Sequence, residues 1–155
     1  RMSGIAAYRL VKRKWLDTVF DGEGARRFGG RWNSRGKSCV YLAGSESLAL
    51  LEVMVHLDDY SLLQHYALLE VRLPEGQVLR LPESDLPGDW RDEPAPPSTA
   101  ELGDGWLDGQ SSLVLAVPSV VVPREWNYLL NPGHPGYERL VAGAKEVNFE
   151  PDVRL

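Results

Sequence analysis

Arg31 stands beside two glycines, Tyr41 follows ten residues later, and Glu52 lies in an apolar run eleven residues beyond that. Together they supply an anion grip, a flat aromatic face and a fixed negative charge. The planar guanidinium of an arginine pairs bidentately with phosphate, and neighbouring glycines, here Gly29 and Gly30, let the backbone approach the same oxygens. A tyrosine face attracts a flat ring that carries positive charge. A carboxylate stabilises the oxocarbenium-like ribose that develops when a cationic base leaves it. One ligand class needs all three functions: a dinucleotide with a positively charged leaving group, of which NAD is the common case. On this reading Arg31 holds the diphosphate, Tyr41 stacks on nicotinamide or shapes its pocket, and Glu52 stabilises the ribosyl cation. Nicotinamide departs as a neutral molecule, so no general acid is required.

Each residue also has an ordinary structural reading. An arginine after Gly-Gly is commonly a solvated loop residue, a tyrosine within Cys39-Val40-Tyr41-Leu42-Ala43 is commonly half-buried in a strand, and a helix glutamate is commonly exposed. Short motifs acquire meaning only from their structural context.

The elements that must position these side chains follow from periodicity and turn chemistry. Residues 5–11 alternate weakly and are expected to form a first strand, with Arg9 turned toward the site. Asp21-Gly22-Glu23-Gly24 reads as a loop. Residues 28–33 and 38–43 read as strands joined by the turn Ser34-Arg35-Gly36-Lys37, which places Arg31 and Tyr41 on or beside one hairpin. Ser45 is the expected N-cap of a helix that ends near His56-Leu57-Asp58, with Leu48, Leu51, Val55 and, on the flank, Leu50 and Met54 supplying apolar surface. Glu52 falls mid-helix, either half-buried toward a ligand or exposed between apolar stripes. Glu52 and His56 share a helix face, but three scattered histidines and no cysteine pair do not make a zinc site, so no metal is expected. His56 and His65 read as hydrogen-bonding structural residues.

Further along, residues 66–73 alternate with Leu69, Val71 and Leu73 inward and Glu70 and Arg72 outward. Residues 77–81 form a further strand. Residues 82–97, dense in Pro, Asp and Glu, are expected to make a long surface loop anchored by Trp90. Ser98-Thr99-Ala100-Glu101 has the capping-box pattern of a short helix running to Trp106, weakened by Gly103 and Gly105. Residues 112–117 and 120–122 read as central strands with Pro118-Ser119 as a bend between them. Residues 127–131 lead into the rigid turn Pro132-Gly133-His134-Pro135, and residues 145–149 read as a last strand.

Composition narrows the function. At 155 residues and 43% hydrophobic, the chain suits one domain, 1–155, with a single core. Arg1 precedes Met2, a natural initiator, and is expected to be extraneous. No apolar run approaches the roughly 20 residues of a membrane span, and nothing at the start reads as a signal peptide, so a cytoplasmic location away from membranes is expected. The lone Cys39 reads as a small buried apolar residue. A net charge of −5 argues against general nucleic-acid binding. Residues 1–40 hold ten Lys/Arg against three Asp/Glu, a balance of +7 that leaves −12 for the remainder. That basic quarter can focus potential on a diphosphate, or form a solvated face or a surface for an acidic partner, residues 12–14 above all. No Gly-x-Gly-x-x-Gly loop is present, which disfavours a dinucleotide-binding dehydrogenase.

The chain resembles the RES domain family, the toxin halves of bacterial Xre–RES toxin–antitoxin pairs. The resemblance is carried by Tyr8-Arg9, Gly30-Arg31-Trp32-Asn33, Val40-Tyr41-Leu42-Ala43, Leu48-Ala49-Leu50-Leu51-Glu52-Val53 with His56-Leu57, Val117-Pro118-Ser119, and Asn127-Tyr128-Leu129-Leu130-Asn131-Pro132 with His134-Pro135. It implies an α+β, ADP-ribosyltransferase-like fold: a compact single domain with a mixed β-sheet core and a few short helices. It also implies consumption of NAD, by release of nicotinamide to water or phosphate or by ADP-ribosyl transfer to a protein, and a cognate Xre-type antitoxin. By position, the family's arginine, glutamate, serine and tyrosine fall on Arg31, Glu52, Ser119 and Tyr41, with Arg9 and Asn127 as further substrate-binding positions. The expectation is a growth-arresting, NAD-consuming enzyme. The alternative within that class is protein mono-ADP-ribosylation, and outside it a non-catalytic nucleotide-binding or protein-interaction module. The acidic balance and the lack of a histidine acid/base pair disfavour an RNA-directed toxin.

Overall fold

The computed structural model describes residues 4–155; Arg1 and Met2 lie outside them. Among the described residues the apolar and β-branched runs form β1 (Ile5–Lys12), β2 (Val40–Ala43), β3 (Tyr66–Leu73), β4 (Val78–Arg80), β5 (Val114–Pro118), β6 (Trp126–Leu130) and β7 (Lys145–Val147). They make one mixed sheet in the order β4-β5-β6-β2-β1-β3-β7, in which β4 runs parallel to β5 and the other neighbours are antiparallel. The helices are α1 (Glu23–Phe28), α2 (Glu46–Met54), α3 (Pro97–Gly109) and α4 (Tyr137–Ala142). The α+β expectation holds.

Alternation along the strands divides the core between the two faces. Leu48 and Ala49 of α2 pack with Leu10 and Leu68, while Trp106 and Leu107 of α3 cover Leu115, Val117 and Leu129. Register places these strand residues on one face. Val40, Leu42, Val71, Val114 and Leu130 point to the other, where Tyr137 and Leu140 of α4 close the cluster.

The ladder between β1 and β2 is the exception in this sheet. β1 pairs with β3 along its whole length, from Ile5↔Leu73 to Lys12↔Tyr66, but meets β2 at Tyr8↔Ala43 alone. Beyond Tyr8 the two strands part, and their backbone groups no longer satisfy one another. Arg9 spans the gap: its Nη1 donates to the carbonyl of Tyr41 at 2.9 Å and its Nε to the carbonyl of Val19 at 3.0 Å.

Several elements depart from the sequence pattern. Residues 28–33 form no strand. α1 ends at Phe28, Gly29 takes φ +71 beyond it, and Gly30 and Asn33 close a tight turn through an isolated bridge. The expected strand at 120–122 is a turn, because Ser119 Oγ accepts the amides of Val121 and Val122 at 3.1 Å each and draws the chain round. α3 starts at Pro97 and runs to Gly109, longer than its glycines indicate; Ser98 does not cap it but donates to Asp89 at 2.5 Å. Ser45 caps α2 as expected, accepting the amide of Leu48 at 3.0 Å.

Gly103 explains why a glycine is tolerated inside α3. A Cβ there would collide with the carbonyl oxygen of Trp32, so the missing side chain is what lets α3 press against the turn after α1. Gly103→Ala is expected to destabilise the protein by about 3 kcal/mol or more, since the obstacle is backbone and cannot rotate away. Gly105→Ala, with nothing within 4 Å, should be neutral or stabilising by about 0.5–1 kcal/mol. Urea unfolding of the two variants reads the difference directly.

Candidate functional site

The parting of β1 and β2 opens a cleft. It comprises two adjoining cavities of about 530 Å³ and about 1110 Å³, which share Arg9, Val11, Trp15, Tyr41 and His56 in their walls. Glu52 and Asn127 line the smaller one, and α1 with Arg27, Phe28, Gly29 and Gly30 lines the larger. Small-molecule sites typically have volumes of about 300–1,000 Å³.

Glu52 is half-buried on the face of α2 that meets the cleft, the first of its two sequence alternatives. Its Oε2 accepts the hydroxyl of Ser119 at 2.8 Å. Ser119 is fully buried, and its oxygen also accepts two backbone amides, so its rotor is fixed and it can only donate toward Glu52. The bend at Pro118-Ser119 therefore orients the carboxylate; its hydroxyl is not free for ribose or phosphate.

Tyr41 presents its ring to both cavities while its hydroxyl is engaged elsewhere. The hydroxyl donates to Asn33 Oδ1 at 2.7 Å and accepts the amide of Trp32 at 3.0 Å. Burial pushes this phenol well above its ordinary value, so it stays protonated and contributes a face and no base. Cys39, also in the wall of the larger cavity, is pushed up to about 12 by burial and remains a neutral thiol.

Arg9 is the cation shared by both cavities. Desolvation lowers its basicity, and no carboxylate lies within salt-bridge distance of it among the described residues. A guanidinium held by two neutral carbonyls in a cavity wall retains its charge for an anion. Arg31 is placed differently from the expectation. Its guanidinium donates to the carbonyls of Trp90 and Asp92 at 3.1 and 2.7 Å and pairs with Glu93 at 2.8 Å, with 13% of the side chain exposed, and it lines neither cavity. The Gly30-Arg31-Trp32-Asn33 motif acts as a fastening: Trp32 enters the core under α3, Thr99 donates to the Arg31 carbonyl at 2.6 Å, and Asn33 donates to the carbonyls of Ala25 and Lys37.

The structure thus brings Arg9, Tyr41, Glu52 and Asn127 into one cleft, sets Ser119 directly behind Glu52, and leaves Arg31 outside. His56, read as structural, is exposed and lines both cavities. Its spacing of four from Glu52 was the available signal. Arg27 belongs to the basic quarter read as focusing potential on a diphosphate, whereas Trp15 and Phe28 carried no such signal, because nothing local distinguishes a cleft wall from a solvated surface. No group of three His, Cys, Asp or Glu side chains gathers as a metal site among the described residues.

The α+β domain with its mixed sheet has a counterpart among solved structures. A chain in the crystal structure of the M. tuberculosis MbcT–MbcA toxin–antitoxin complex matches it with a TM-score of 0.67 at 21% identity, covering 94% of this chain and 85% of that one. The chain belongs to the RES domain family, whose model matches residues 6–152. Among its relatives are a protein named Toxin Res from Yersinia enterocolitica, 41% identical over 96% of this chain and 97% of that protein, and a Prs ADP-ribosylating toxin from a Sphingobium strain, 42% identical over 74% and 73%.

Arg31 in this setting is a clamp on the segment Pro87–Pro97. Arg31→Ala is expected to leave secondary structure intact but to expose that segment to protease, with the first cuts between Trp90 and Ala95. Limited proteolysis mapped by mass spectrometry checks it, and an unchanged digestion pattern counts against the clamp.

Proposed function

We propose that this protein is the toxin of a toxin–antitoxin pair, acts in the cytoplasm, and consumes NAD by cleaving the nicotinamide–ribose bond. The observation that carries the reading is the pairing of Glu52, fixed by the buried Ser119, with the unneutralised guanidinium of Arg9 in one cleft. Arg9, aided by Arg27, holds the diphosphate. Tyr41 offers its face to the pyridinium ring. Asn127 contacts the ribose. Glu52 stands beside the anomeric carbon, where its charge stabilises the oxocarbenium-like transition state. The C1′–N bond breaks with its electron pair passing to the ring nitrogen, which frees neutral nicotinamide. An acceptor oxygen then bonds to C1′ and its proton passes to solvent. Ser119 is a positioning residue that acts through Glu52, and Arg31 acts through the loop it secures.

The second reading within the same chemistry is transfer of ADP-ribose to a protein side chain, favoured by the relative named a Prs ADP-ribosylating toxin. A cognate antitoxin of the Xre type would inhibit either reaction by covering the cleft that contains Glu52; the toxin–antitoxin complex among the structural neighbours supports only the coarser reading that an antitoxin binds. Incubating the protein with NAD, with and without phosphate and with a cell extract, and weighing every product by mass spectrometry separates hydrolysis, phosphorolysis and protein modification. Absence of nicotinamide release under all three conditions would leave a non-catalytic nucleotide-binding or protein-interaction module.

Glu52→Gln keeps size and helix compatibility and removes the charge. Turnover should fall on the order of a hundred- to a thousandfold, the ~2.7–4 kcal/mol typical of one oriented group in a water-poor site, with a smaller change in KM. Ser119→Ala retains the carboxylate but frees it; kcat per folded molecule, with the folded fraction taken from the melts, should drop about tenfold with KM nearly constant. Steady-state nicotinamide release, with thermal melts alongside, measures both. Cells expressing Glu52→Gln without antitoxin should grow where the parent arrests them.

A further inference from the structure

Phe28 has no place in the chemistry described so far. It ends α1 with 74% of its surface exposed, in the wall of the larger cavity beside Arg27 and Gly29. The other exposed aromatic side chain there, Trp15, already has its ring under the ammonium groups of Lys12 and Lys14, at 4.8 and 5.0 Å. No cation lies over Phe28 among the described residues, so its face is open.

Order along the cleft gives that open face a meaning. Glu52 belongs to the smaller cavity, Arg9 and Tyr41 to both, and Phe28 to the larger alone. A ligand with its scissile ribose at Glu52 and its diphosphate at Arg9 extends, on the side of the diphosphate away from the nicotinamide, toward α1. The group beyond a dinucleotide's diphosphate is a nucleoside with a flat base, and aromatic faces stack bases whatever their edge pattern. We propose that Phe28 is the stacking platform for the purine of the bound dinucleotide and makes the cleft select dinucleotides over mononucleotides. The inference rests on the NAD-cleaving reading for its orientation, and on the open aromatic face for its chemistry.

The test compares the parent with Phe28→Ala and Phe28→Trp, using NAD and nicotinamide mononucleotide, which carries the same scissile bond without the adenylate. Phe28 is exposed, so both variants should fold, and thermal melts verify it. The preference for NAD over the mononucleotide, as a ratio of kcat/KM values, should fall about tenfold in Phe28→Ala, mostly through KM for NAD, and return in Phe28→Trp. An equal ratio in parent and Phe28→Ala overturns the platform. AMP binding followed by ligand-observed NMR gives an arm independent of turnover: it should weaken in Phe28→Ala, and undiminished AMP binding overturns the proposal. If the parent releases no nicotinamide from either compound, the NAD-cleaving reading falls, and the AMP comparison alone decides the fate of the platform.

Discussion

Two neighbouring strands that do not stay paired create the interior opening of this domain, and a single arginine keeps it open. Where β1 leaves β2 after Tyr8, the backbones of the two strands no longer pair. Arg9 bridges part of the gap by donating to the carbonyl of Tyr41 on β2 and to that of Val19. The same side chain thereby acquires a position in the cavity wall with no carboxylate partner among the described residues, and burial lowers its basicity. Structure and recognition are coupled at this point. The side chain that bridges part of the gap is also the charge that would draw an anion into it.

The remaining walls are held by contacts made behind the cleft. Tyr41 can offer only its ring because Asn33 and the amide of Trp32 occupy its hydroxyl. Asn33 is in turn tied to Ala25 of α1 and to Lys37, so the strand bearing Tyr41 and the helix bearing Phe28 are fixed to one side chain. Trp32 reaches into the core beneath α3, and Gly103 gives that helix the room to close on it. On the opposite wall Ser119 fixes Glu52 through the turn that replaces a strand after β5. A carboxylate restrained by a buried donor loses little freedom when a charged transition state forms, which is how preorganised sites gain over water.

Charge follows the same plan. The basic first quarter of the chain supplies Arg9, Lys12 and Arg27 to the cleft, while Arg31 is neutralised by Glu93 in the acidic loop. The cavity walls carry Arg9, Lys12 and Arg27 against Asp21, Glu23 and Glu52, and pairing distinguishes them: Arg27 lies 3.9 Å from Glu23, whereas Arg9 has no carboxylate within salt-bridge distance among the described residues. A net charge of −5 for the whole chain conceals that distribution.

Sequence alone determined the elements whose apolar period is strong, because side-chain spacing in a strand or helix is a local property. β1, β3, the capped helix α2 and the Pro/acid-rich surface loop were legible in this way, and residue order carried the family. It also singled out Tyr41, Glu52 and Ser119 as candidates. Tertiary structure decided which contacts each of them makes. Arg31 and Arg9 are chemically identical, and only packing sends one guanidinium to Glu93 and leaves the other in a cavity. Ser119 could have faced solvent, ligand or Glu52, and the turn at Val121 and Val122 chose Glu52. The stretch 28–33 failed as a strand because Gly29 and Gly30 let the chain fold back for Trp32 to enter the core, a long-range gain that no local pattern records. Phe28, an exposed residue in any window of the sequence, became part of a wall only when α1 was brought opposite β1.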